Sequence, residues 1–211
     1  NLDVIYSNDP DELLPTAMLH AADGRLRLRN ILQHPFFNRY DVIIVDSKGA
    51  TGVMTELSLL SSTGNVMGVV KPILPDVREF IRGSLHMLTR LKTYENYGIR
   101  LPDISILVNC IENTLLDREA MDGLAAIINE KHYDASALGN RDVYRLLNTR
   151  IEALDIFKLG HVKQQPVHRL EYKTRRKGPA AAVTMHDLAC ELFPEWQSHF
   201  SDVLTREVRH V

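Results

Sequence analysis

The sequence predicts an α/β fold: one domain on a mostly parallel, doubly wound sheet with helices on both faces. Three observations predict it. First, the short β-branched runs Val42–Val45, Val66–Val70 and Ile104–Val108 lack polar alternation, as strands buried on both faces do. Second, stretches with apolar residues at helical spacing separate these runs. Third, 211 residues with 45% hydrophobic and 25% charged content suit a single soluble domain. No tandem repeat or low-complexity segment interrupts the alternation.

Taken in order, Leu2–Tyr6 reads as a short strand, and Ser7-Asn8-Asp9-Pro10 as a turn or helix start. Residues 11–22 read as a helix with Leu13, Leu14, Ala17 and Met18 on one face, and Gly24 ends it. A second helix covers about 25–34, and Pro35 leads into the run Tyr40–Asp46. A glycine-containing turn at 49–52 precedes a helix at 53–62 and the strand Val66–Val70. Pro75-Asp76 opens a long helix, 76–96, in which Phe80, Ile81, Leu85, Leu88 and Leu91 recur at helical spacing. Ile104–Val108 is a core strand ending on Asn109. Residues 116–130 form a helix with Leu116, Met121, Leu124 and Ile127 or Ile128 as its stripe. A strand at 144–151 and a short helix at 153–162 follow. Residues 163–180 read as a basic surface loop, and 184–211 as the C-terminal helices.

The net charge of −2 names no partner, but its distribution is informative. Residues 141–180 hold ten Lys/Arg against four acids, a local +6 that leaves −8 elsewhere. The run Arg169, Lys173, Arg175, Arg176 and Lys177 can neutralise phosphates and release counterions, giving salt-sensitive, sequence-independent DNA binding. A solvated charged loop has the same composition. Two lone cysteines, Cys110 and Cys190, fit a reducing cytoplasm rather than a disulfide framework. Cys110 reads as a small buried apolar residue. No apolar run reaches membrane-spanning length, so no membrane partner is expected. The chain begins at Asn1 within a strand-like run, which reads as a piece of a longer protein.

Asp46 stands at the end of a run read as buried strand, where open α/β sheets bind ligands. A carboxylate there is costly unless paired, hydrated or near a metal. In nucleotide hydrolases such an Asp holds a Mg²⁺-bound water, and the Asp-x-x-Gly turn, here Asp46-Ser47-Lys48-Gly49, senses the γ-phosphate. The same residues also serve as an ordinary strand-end turn. Asn109 can offer its paired donor and acceptor to a base edge, or cap a turn.

The order of these pieces resembles the ParA/MinD family of P-loop ATPases, most closely its partitioning branch, after the phosphate-binding loop. Tyr40–Asp46 resembles the family's Walker B strand, and Val69-Val70-Lys71-Pro72 its strand-Pro-helix segment. Ile106-Leu107-Val108-Asn109 resembles the strand near the adenine, and Leu147-Asn148-Thr149-Arg150-Ile151 the late strand. Leu159-Gly160 through Pro166-Val167 resembles the stretch after it. The departures are Ser47-Lys48-Gly49 in place of a proline-stiffened turn, Glu152 in place of a proline, and no Gly-Lys-Ser/Thr cradle.

The resemblance implies a P-loop NTPase-like fold incomplete at its N-terminus, and a parent that is a Mg-dependent ATPase. It assigns Asp46 to catalysis and, through water, to Mg²⁺, and Ser47, Gly49 and Asn109 to ATP. It implies a nucleoid-associated cytoplasmic protein that dimerises on ATP, binds nonspecific DNA and is released by a ParB-like centromere-binding partner. The piece alone is expected to be inactive. The alternative is a non-enzymatic α/β adaptor binding DNA or a partner protein without nucleotide.

Overall fold

The computed structural model describes residues 2–6, 9–47, 49, 51–171 and 177–200. The class is α/β. In chain order the elements are α1 (Leu13–His20), α2 (Arg27–Leu32), α3 (Val53–Ser61), β1 (Val66–Val70), α4 (Leu74–Leu91), β2 (Ile104–Ile111), α5 (Leu115–Asn129), β3 (Tyr144–Glu152), α6 (Asp155–Lys163), α7 (Val167–Leu170) and α8 (Ala181–Leu192). The sheet has strand order β1-β2-β3, with β2 and β3 parallel. The chain divides into two compact units: residues 1–66, 82–102 and 135–141, and residues 67–81, 103–134 and 142–211.

In the first unit, Met18, Val53 and Leu57 form a buried cluster, with Leu28 and Met54 against it. Gly24 is required there, because a Cβ would lie 1.8 Å from the Met18 carbonyl oxygen. The half of α4 in this unit buries Leu88 and Leu91 of the stripe expected from its spacing, with Met87 beside them.

In the second unit, Ile104, Ile106, Leu107 and Val108 are all buried, as a run without alternation requires. Gly68 lets Phe80 cross β1, since a Cβ there would sit 2.1 Å from the ring. A capping box starts α5: Asp117 N–H donates to Thr114 Oγ1 at 3.1 Å, and Thr114 N–H to Asp117 Oδ2 at 3.3 Å. The buried Tyr144 donates its hydroxyl to the Ile81 carbonyl at 3.0 Å and meets Tyr133 edge to face.

Two expected strands are absent. Leu2–Tyr6 and Val42–Val45 belong to no strand, and Ile44 is 83% exposed where burial on both faces was expected. A β-branched run favours extended backbone, but a strand exists only where neighbours take up its N–H and C=O groups, which local pattern does not encode. The Tyr40 hydroxyl, donating to Asp3 Oδ2 at 2.6 Å, ties the two segments to each other.

Candidate functional site

β2 and β3 run parallel in register from Ile104↔Tyr144 to Ile106↔Leu146, then the register slips twice, to Val108↔Arg150 and Ile111↔Glu152. Between Val108 and Ile111 the extra residue lies on β2, where Cys110 takes a left-handed φ of 61°. For a residue with a Cβ that is a strained conformation, and bulges of this kind gather beside binding sites. Cys110 N–H donates to its neighbour's Asn109 Oδ1 at 2.8 Å, which holds the kink. Cys110 is therefore exposed, not a buried apolar residue as its place after a strand implied.

The slip on β3 is satisfied from α8. Glu191 Oε1 accepts from the Asn148 backbone N–H at 2.7 Å and its side-chain amide at 3.1 Å, while Oε2 accepts from Thr149 N–H at 2.8 Å. Burial pushes the Glu191 carboxyl up, but those N–H donors and the nearby Arg145 guanidinium outweigh it and hold the group below the ordinary carboxylate range.

Beyond these slips, at the carboxyl ends of the two strands, lies a cavity of about 180 Å³. Ile111, Met121, Leu154, Phe157 and Pro179 form its apolar walls, and Asn113, Arg150, Glu152 and Thr184 its polar edge. Asn113 Nδ2 donates to Glu152 Oε1 at 3.1 Å. Arg150 is exposed and pairs with no carboxylate among the described residues. At roughly 30 Å³ per water this volume holds a handful of waters or one flat ring, less than the ~300–1,000 Å³ of drug-sized sites. The slot sets apolar walls against a guanidinium, an amide, a carboxylate and a hydroxyl at its rim, an arrangement suited to binding.

The residues singled out by sequence are spread over both units. Asp46, Ser47 and Gly49 are exposed and belong to the first unit. Asn109 belongs to the second, but its side-chain oxygen is occupied by Cys110 N–H, and Asn113 supplies the amide of the cavity instead. Arg169, on α7, and Lys177 are exposed, whereas Lys173, Arg175 and Arg176 lie outside the described residues, as does Lys48. Glu171 Oε2 accepts from Ala181 N–H at 2.8 Å. Sequence reasoning missed Arg150 and Glu152 as cavity residues. The signal was Glu152 itself, a charged residue at the end of a core strand.

No group of three or more His, Cys, Asp or Glu among the described residues is placed to hold a metal. Asp46 and Ser47 amount to one carboxylate and one hydroxyl, which do not make a protein-held magnesium site. No family model matches the chain, and neither does any curated protein or solved structure.

Proposed function

We propose that the chain is part of a ParA-like partition ATPase, with a P-loop NTPase-type doubly wound sheet, and that the cavity beside β2 and β3 receives the base of ATP. The observation that carries the reading is the cavity's position, at the carboxyl ends of parallel strands, where open α/β sheets bind nucleotides. Its apolar walls suit a purine ring, and the Asn113 amide offers hydrogen bonds to a ring edge, with Arg150 and Glu152 as the charged groups beside it. In this reading Mg²⁺ arrives with the triphosphate, most of its ligands being phosphate oxygens and water. The parent dimerises on ATP, holds nonspecific DNA through its basic run and yields to a ParB-like partner, so ATP acts by favouring the DNA-binding state.

The test is titration of the ¹⁵N-labelled chain with adenosine and with Mg-ATP. Saturable shifts at Asn113, Met121, Phe157 and Thr184, abolished by a cavity-filling Thr184→Phe, are expected. No saturable shift, or the same shift in Thr184→Phe, would refute the assignment.

A second reading is the non-enzymatic adaptor, which binds DNA or a protein without nucleotide. The exposure of Val42–Val45 favours it, because a Walker B carboxylate needs its strand seated in the sheet. DNA affinity unchanged by ATP, together with a silent cavity, would select it.

A further inference from the structure

Glu56, on α3, is 2% exposed, and its two oxygens are taken by different cations. Arg25 Nε donates to Oε2 at 2.6 Å, and Arg90 Nη2 forms an ion pair with Oε1 at 2.9 Å. One carboxylate offsets one guanidinium, so the triad keeps a charge of +1. The side chains of Arg25 and Arg90 remain 33% and 54% exposed. Each guanidinium has five N–H donors, and Glu56 is the only hydrogen-bond or ion-pair partner of either among the described residues. Two planar forks are therefore held by one buried anion, and each keeps N–H donors that this contact does not use.

We propose that Arg25 and Arg90, held by Glu56, form a receptor for a phosphate group. A phosphate group offers tetrahedrally disposed acceptor oxygens and at least one negative charge, which suits two forks with surplus cation charge. The buried carboxylate already restrains both side chains, so binding loses less rotamer freedom than it would at free surface arginines. All three residues belong to the first unit, whereas the base cavity is lined by the second, so this inference does not rest on the nucleotide reading. A free phosphate and the phosphodiester of a nucleic acid share this chemistry.

The arginine Nε–H signals of the full chain test it, titrated at constant ionic strength with sodium phosphate against sodium chloride, and separately with a short DNA duplex. Saturable shifts of Arg25 and Arg90 by phosphate assign the site to free phosphate, and shifts by duplex alone assign it to the phosphodiester. Arg90→Gln leaves the Arg25–Glu56 pair in place and is expected to weaken binding roughly tenfold or more, as the removal of a charge-assisted hydrogen bond does. If that variant does not fold, Arg90→Lys keeps the charge, removes the fork and is expected to weaken binding in the same direction. No shift with either probe, or wild-type affinity in the folded variant, overturns the proposal.

Discussion

Substituting both arginines around Glu56 and substituting Glu56 itself perturb the same ion pairs from opposite sides, with unequal consequences. In Glu56→Ala the guanidiniums, already 33% and 54% exposed, turn to water. What is lost is the buried stem, one methylene at ~0.8 kcal/mol, plus the cavity left by the carboxyl group, or roughly 2 kcal/mol in all. In Arg25→Gln/Arg90→Gln the carboxylate stays, 3% exposed on its side chain, with no cation beside it. Stranding a buried charge costs about 3–5 kcal/mol. Either single Arg→Gln leaves one ion pair and removes one charged hydrogen bond, about 1.5 kcal/mol at these exposures. The order expected is therefore double arginine variant, then Glu56→Ala, then the single variants. Hydrogen exchange of the α3 amides reads it, since that probe reports the opening of one unit without assuming that both unfold together. A double arginine variant less destabilised than Glu56→Ala would refute the reasoning.

Other perturbations follow from the same geometry. Gly24→Ala forces a Cβ into the Met18 carbonyl and should cost about 1–3 kcal/mol in urea unfolding, with changes centred on the Met18–Val53–Leu57 cluster. Glu191→Ala leaves the Asn148 and Thr149 N–H groups without their acceptor and should cost about 1–3 kcal/mol, visible as faster exchange of those two amides. The Lys92 ammonium, aided by Arg141, holds the Glu95 carboxyl below its ordinary 4.5, and Glu191 is also lowered. Both contribute stability that is full above about pH 4.5 and is lost as pH falls through their folded values, so melting temperature should drop on that acid limb and less steeply in Glu95→Gln. Replacing Arg175, Arg176 and Lys177 by Gln should reduce the salt slope of DNA binding by about 0.9 for each phosphate no longer neutralised, read from affinity against salt concentration.

Where a residue's role depends on neighbours a few positions away, the sequence was readable. The Ile104–Val108 run became a buried strand, Val66–Val70 kept its expected limits, and the stripe of Met121 and Leu124 is the buried face of α5. Val42–Val45 had the same local signature and formed no strand, because its partners are a matter of distant chain. The cavity was only partly readable: the late strand was expected, but the slips that carry Arg150 and Glu152 to its rim depend on a carboxylate far downstream, at Glu191. The Glu56 triad left no sequence trace, since its members lie 31 and 34 positions apart and each resembles an ordinary helix charge.

Glu191 has one more consequence. In the order β1-β2-β3, β3 is a border of the sheet, and borders invite a foreign chain to add itself. There α8 already packs on β3 and its carboxylate holds the Asn148 and Thr149 amides, so a newcomer would have to compete with that helix before zipping on.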